Sequence, residues 1–220
     1  PDALRGYATF DADWFAENTH DPSHDNGVLL GNGQNTFDTR GGTFDGSVYG
    51  GTGFDTYFIG DNDLFILEQS GGGYDIVHSM ASHVLDPFVE QLVLVTQAGA
   101  INGTGNTSNN LIVGNEASNI LLGLDGDDRL IGGGDDDDLQ GGQGDDHLNG
   151  GAGRDLLSGG VGADTAEYGD SQGWVNVSLL TGFVGGGAGS HAIGDTFASI
   201  ENIAWGASCI VSFGIDATTN

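Results

Sequence analysis

Residues 123–160 read GLDGDDRLIGGGDDDDLQGGQGDDHLNGGAGRDLLSGG, and cut into nines they begin GLDGDDRLI, GGGDDDDLQ, GGQGDDHLN and GGAGRDLLS. Glycine opens every block. Asp128, Asp137, Asp146 and Asp155 hold the sixth place, and Leu130, Leu139, Leu148 and Leu157 the eighth. Upstream the frame takes in Gly114 with Asn119 and Leu121, then Gly105 with Asn110 and Ile112. Downstream it takes in Gly159, Asp164 and Ala166, and it fails at Tyr168. A fainter pair of blocks stands at 41–49 (GGTFDGSVY) and 50–58 (GGTGFDTYF). The second has Asp55 and Tyr57 in place; the first has Gly46 where aspartate is expected. Repetition at a short fixed period marks a chain that winds into stacked coils.

Each part of the block has a physical task. The glycines tolerate backbone angles closed to other residues, so the first six residues are expected to turn tightly. The last three form a short strand whose central leucine points inward while its neighbours point out. Two blocks make one coil, and coils stack as parallel strands about 4.8 Å apart. Residues 18 apart then lie above one another. Asp128, Asp146 and Asp164 line one edge, and Asp137 and Asp155 the other.

Carboxylates stacked this closely repel unless a cation lies between them. Calcium suits them, since it takes six to eight oxygen ligands at about 2.3–2.6 Å in loose geometry, whereas magnesium demands a strict octahedron. Zinc would want histidine or cysteine, and the repeats offer only His147. The expected calcium ligands are the carboxylates of Asp55, Asp128, Asp137, Asp146, Asp155 and Asp164. Backbone positions at Gly126, Gly132, Gly133, Gly141, Gly142, Gly144, Gly150, Gly151, Gly153, Gly159, Gly160 and Gly162 add to them. One buried leucine per block does not offset the entropy of ordering nine residues, so binding of several calcium ions is expected to be coupled to folding.

Composition agrees. The 220 residues include 42 Gly and 32 Asp plus Glu against four Lys plus Arg, a formal charge of −28. All four bases are arginines. Such a chain repels nucleic acid and anionic membrane surfaces and invites cations. Cys209 is the only cysteine, which excludes an internal disulfide and a cysteine zinc site. No run has the length of a transmembrane helix, and no basic-then-apolar leader opens the chain. It starts at Pro1 and reads as a fragment or processed piece.

The repeat resembles the RTX, or haemolysin-type, calcium-binding nonapeptide G-G-x-G-x-D-x-U-x, where U is a large apolar residue. The resemblance is strong over 123–165 and looser over GGTGFDTYF and over SGGGYDIVHSMASHVLDPFVEQLVLVTQAGAINGTGN (70–106), which looks like the strand-rich module found beside such repeats. VSLLTG and GDTFASIENI resemble a downstream element. The family implies a parallel β-roll with calcium in its turns, and export by a type I system as an unfolded chain that folds outside the cell. There are departures. Leu124 replaces the second glycine of its block and Asp135 the fourth-place glycine, though Asp visits the left-handed region more readily than most. Asn110 and Asn119 replace aspartate, so their sites should be weaker or absent. GASCIVSFGID (206–216) has Val211 where the aspartate would fall, and the closing DATTN is unlike an export signal.

The rest of the chain is expected to be all-β. LFILE (64–68), DIVHSM (75–80), SHVL (82–85) and QLVLV (91–95) read as strands, with turns at Gly71–Gly73 and Asp86–Pro87. WVNVSLL (174–180) alternates as a half-buried strand, GGGAGS (185–190) reads as a flexible loop and FASIENIAW (197–205) as strand. The organisation is an acidic segment at 1–40 that could be the tail of another domain, weak repeats and strands at 41–104, the calcium-binding roll at 105–167 and a capping segment at 168–220.

Three features invite sharper readings. GDSQG (169–173) matches the G-x-S-x-G nucleophile elbow, but an elbow is followed by a helix and here a strand follows, with His191 and Asp195 in reversed order. A turn is the better reading. HDPSHD (20–25) spaces His20 and His24 like a metalloprotease helix, yet Asp21 and Pro22 break it, so an acidic loop is expected. Tyr57, Trp174 and Trp205 are expected in the core or a cap, with a polysaccharide-binding strip the alternative; His78, His83 and His147 are expected to be structural. The function expected is a non-enzymatic calcium-binding β-roll of a secreted protein that folds on meeting calcium and stabilises an upstream domain. The alternatives are the C-terminal part of an exported polymer-acting enzyme (peptidase, lipase or polysaccharide-modifying) and an adhesin or surface-layer module.

Overall fold

The computed structural model describes residues 27–40, 46–60, 64–96, 98–171, 173–179, 183–187 and 190–205. Among them are twenty strands and no helix. Nine strands form one continuous parallel sheet: Thr36–Asp38, Thr56–Ile59, Ile76–Ser79, Gln91–Leu94, Leu111–Val113, Arg129–Gly134, His147–Ala152, Thr165–Tyr168 and Asn202–Trp205. The opposite wall has two parallel sheets. One joins Gly27–Leu29, Gly46–Gly51 and Leu64–Glu68. The other joins His83–Val84, Gly103–Thr104, Ile120–Asp125, Asp138–Gln143, Leu156–Val161 and Thr196–Ala198. The chain alternates between the two walls, so it is a parallel β-roll.

Coil length is read from the register. Leu111 pairs with Arg129, Arg129 with His147 and His147 with Thr165, so each coil takes exactly two nonapeptides. Leu121, Leu130, Leu139, Leu148 and Leu157 are all fully buried between the walls, joined by Ile112 and Ala166. The expected three-residue strands are too short. The nonapeptide strands from Ile120 to Val161 have six residues each, and the glycines that open each block belong to the ladder, with Gly133 opposite Gly151 and Gly142 opposite Gly160. A strand without side chains bends instead of stopping, and the turn proper shrinks to three residues, such as 135–137. Both substituted glycine positions keep the left-handed backbone, Leu124 at φ 86° and Asp135 at φ 61°. Leu124 carries the larger penalty, about 1–2 kcal/mol for a side chain in that region.

The roll also runs through both boundaries expected at 104 and 167. Upstream, Thr36 pairs with Thr56 and Thr56 with Ile76, coils slightly longer than two nonapeptides. Ile76 then pairs with Gln91 across a shorter coil, and Gln91 with Leu111 across a longer one. Tyr57, Ile59, Val77 and Leu92 are buried here where leucine is buried in the nonapeptides. Downstream, Thr165 pairs with Asn202 and Leu156 with Thr196, so the last coil carries a long excursion. Its expected strand at 174–180 is Val175–Ser178, and this pairs antiparallel with Phe183–Gly186. Gly185 and Gly186, read from sequence as loop, are therefore strand. Tyr57 is core, whereas Trp174 and Trp205 are 51% and 46% exposed.

Candidate metal centre

The turn aspartates form two rows. In one, the backbone N–H of Asn110 donates to Asp128 Oδ1 at 2.7 Å, that of Asp128 to Asp146 Oδ1 at 2.8 Å, and that of Asp146 to Asp164 Oδ1 at 2.9 Å. In the other, Asn119 N–H donates to Asp137 Oδ1 at 2.8 Å and Asp137 N–H to Asp155 Oδ1 at 3.0 Å. One oxygen of each carboxylate thus closes the turn of the preceding coil. The other oxygen, Oδ2, is buried without a hydrogen-bond partner at all five positions, Asp128, Asp137, Asp146, Asp155 and Asp164. A buried polar atom left bare costs about 1–3 kcal/mol, and more when charged.

The surroundings of these oxygens are equally regular. A Cβ on Gly123 would collide with both Asp128 Oδ2 and the Gly141 carbonyl oxygen of the next coil. Gly132 stands in the same relation to Asp137 Oδ2 and Gly150 O, and Gly141 to Asp146 Oδ2 and Gly159 O. Gly150 faces Asp155 Oδ2, and Gly159 faces Asp164 Oδ2 with Ser199 O. Each first-place glycine therefore leaves room for a carboxylate and, in four of these five turns, a carbonyl oxygen to converge. An oxygen-only donor set with a bare carboxylate fits calcium and lacks the nitrogen and sulfur ligands that zinc sites are built on. Gly133, Gly142, Gly151 and Gly160 serve differently, since any Cβ there would meet backbone carbonyls of the preceding coil. Among the fourth-place glycines, Gly126, Gly144 and Gly162 have positive φ and Gly153 does not.

Burial raises the carboxyls of Asp128 and Asp137 to about 7 and those of Asp146 and Asp155 to about 6, and neighbouring carboxylates add to the shift. Asp164 is raised by the same cause. The asparagine replacements behave otherwise. Asn110 Nδ2 donates to Val89 O and Asn119 Nδ2 to Ile101 O, at 3.0 and 2.6 Å, so an N–H bond to the protein occupies the place of the bare oxygen.

The family model for RTX calcium-binding nonapeptide repeats (HemolysinCabind, four copies) matches residues 104–139 and 131–166. Residues 104–166 are RTX calcium-binding nonapeptide repeats. These repeats bind calcium, and the five bare Oδ2 atoms lie within the RTX coils. No curated protein and no solved structure matches the chain.

Several acidic groups in the same rows escaped the nine-residue frame. The RTX rows end on Asp195, whose Oδ1 accepts Asp155 N–H at 3.0 Å, and on Glu201, whose Oε2 accepts Asp164 N–H at 2.9 Å. Asp195 Oδ2 is not bare, because the Tyr168 hydroxyl donates to it at 2.7 Å. Upstream, Asn35 N–H donates to Asp55 Oδ1, Asp55 N–H to Asp75 Oδ1 and Asp75 N–H to Glu90 Oε2, at 2.7, 2.8 and 2.8 Å. The signal for Asp75 was a second, longer period, visible in GNGQNTF (31–37), GTGFDTY (51–57) and GGGYDIV (71–77), whereas Glu90 follows a coil of different length.

The remaining sequence candidates are placed as follows. Ser171 Oγ accepts the His191 backbone N–H at 3.2 Å and donates to Gly173 O at 3.4 Å; the His191 ring faces Asp170 at 3.7 Å, and Asp195 is held by Asp155 and Tyr168. The three do not meet as a relay, and GDSQG leads into the strand Val175–Ser178. His78 stacks on Phe58, His83 is buried, and half-exposed His147 pairs with Glu167 at 2.9 Å. Asp137 is buried, while its neighbour Asp136 is exposed and paired with Arg154 at 2.7 Å. His20, His24, residues 41–45 and the segment 206–216 with Cys209 and Val211 lie outside the described residues.

Proposed function

We propose that this chain is a folding and stabilising module of a secreted protein: exported with its repeats unfolded, it winds into the roll when it meets calcium outside the cell and fixes whatever is attached to it. The bare, buried Oδ2 atoms repeated along both rows of RTX turns carry this reading, because they make the folded roll incomplete without a cation. Asp128, Asp137, Asp146, Asp155 and Asp164 are the proposed carboxylate ligands, with the carbonyls of Gly141, Gly150 and Gly159 beside the first three and that of Ser199 beside Asp164.

The two rows supply the test. Asp137 and Asp155 are neighbours in one row and linked by a hydrogen bond, so once Asp137→Ala has opened that row, adding Asp155→Ala should raise the calcium-titration midpoint little further. Asp137 and Asp146 are closer in sequence but lie in different rows, and their losses should combine more nearly additively. Stronger coupling between rows than within one would overturn the assignment of ligands.

The module is proposed to have no catalytic role of its own. Calcium-loaded protein should leave ester, peptide and polysaccharide substrates untouched. Turnover that disappears in Ser171→Ala, or in His20→Ala with His24→Ala, would show the opposite.

A further inference from the structure

Upstream of the RTX repeats, among the longer coils, three acidic side chains converge. Ligand oxygens of Asp55, Glu68 and Asp75 all lie within 4.8 Å of one another, the one such group of three among the described residues. Asp55 and Asp75 are each 1% exposed. They come from successive coils of the nine-stranded sheet, and Glu68 reaches them from the end of a strand on the opposite wall.

Hydrogen bonds occupy one side of this group only. Asn35 N–H takes Asp55 Oδ1, Asp55 N–H takes Asp75 Oδ1, and the buried Tyr57 hydroxyl donates to Glu68 Oε1. Asp55 Oδ2 and Glu68 Oε2 remain, both shielded from solvent and both without a partner. Position 50 is kept open for the arrangement, since a Cβ on Gly50 would collide with Glu68 Oε1 and the Tyr57 hydroxyl. A closed hydrogen-bond network would leave no such atoms, and three carboxylates this close repel one another.

We propose that Asp55, Glu68 and Asp75 form a further site for a calcium-sized hard cation, outside the RTX repeats and built differently from them. Opposite ligands of a calcium ion stand about 4.6–5.2 Å apart, and oxygens that all lie within 4.8 Å of one another can share one such ion. An RTX turn offers one bare carboxylate oxygen beside a carbonyl; this site gathers three side-chain carboxylates and anchors one of them on a tyrosine. It couples the two walls of the roll at the coils before the nonapeptides. The site does not depend on the RTX ions.

Calcium counting by equilibrium dialysis tests it on the whole chain. Asp55→Asn combined with Glu68→Gln should bind one ion fewer than the unsubstituted chain, while the calcium-driven gain of β-type circular dichroism from the RTX coils persists. An unchanged ion count would overturn the site. Should that variant fail to fold, Tyr57→Phe gives a second reading. Terbium replacing calcium is excited through nearby tyrosine, so the variant should lose the part of the sensitised emission that Tyr57 supplies, while Tyr168 beside the RTX row still sensitises its own ions and the number of bound terbium ions is unchanged. Emission equal to that of the unsubstituted chain overturns the proposal.

Discussion

Exhaustive chelation at neutral pH is expected to remove most of the β-type circular dichroism of residues 104–166, and millimolar calcium to restore it in one cooperative step, with magnesium unable to replace it. The reason lies in the balance of the coil. Each nonapeptide buries a single inward apolar side chain, leucine in five of the seven, against the entropy of ordering nine residues. Hydrogen bonds of the ladder narrow that gap, but the aspartate turns then add a buried carboxylate with one bare oxygen. A formal charge of −28 acts against compaction as well. Calcium answers the last two costs together. A chelated chain with its full native spectrum would show that the hydrophobic interior suffices and that the bare oxygens are not ligands.

The second expectation is a reversal with pH. Without calcium, the folded roll holds Asp128 and Asp137 at about 7 and Asp146 and Asp155 at about 6, whereas an unfolded chain holds them near the ordinary 3.8. The folded state therefore binds protons more tightly. The stability this confers is fully present below the unfolded value and is lost as pH rises through about 6–7. Chelated protein should thus gain β-structure when taken from about pH 8 to about pH 5. Calcium binding moves the other way, because protons compete for the same oxygens, and the calcium midpoint should climb over that interval. Circular dichroism at the two pH values, with and without calcium, checks both halves. Asp128→Asn with Asp137→Asn should flatten the acid-induced gain, which separates these carboxyls from the general relief of charge repulsion. A chelated roll more stable at the higher pH would contradict the burial of these groups.

The roll was legible where its period is constant. From Gly105 to Glu167 every coil repeats the same two turns, so a frame of nine placed Leu130, Leu139, Leu148 and Leu157 in the core and divided the aspartates between two rows. Upstream the coils differ in length, as the partners Thr36, Thr56, Ile76, Gln91 and Leu111 show by their uneven spacing. Stacking requires only that inward residues and ladder partners align; a loop between walls can lengthen at small entropic cost. The frame of nine therefore stopped short of Asp75 and Glu90, although GTGFDTY and GGGYDIV share a pattern one coil apart. Asp195 and Glu201 were hidden by the excursion between Tyr168 and Thr196, whose length no repeat specifies. Glu68 lies on the other wall from Asp55, and no periodicity within one strand announces such a meeting. The six-residue strands were missed because glycine pairs signal turns from sequence, while in a stack they also let neighbouring backbones approach to ladder distance.

The direction of the hydrogen bonds between turns gives the two ends of the RTX array unequal standing. Each buried aspartate offers its own N–H to the carboxylate of the coil that follows it, and its carbonyl accepts from that coil as well, as Asp128 does from His147 and Asp146 from Thr165. The turn of one coil is thus finished by its successor. Trimming coils from the N-terminal side leaves the surviving turn N–H groups with their acceptors. Cutting after Tyr168 strips Asp195 from Asp155 and Glu201 from Asp164, and two buried N–H groups lose their acceptors at once. The acidic pair beyond the excursion is in this sense the keystone of the array: the last turns of the RTX coils stay open until it docks.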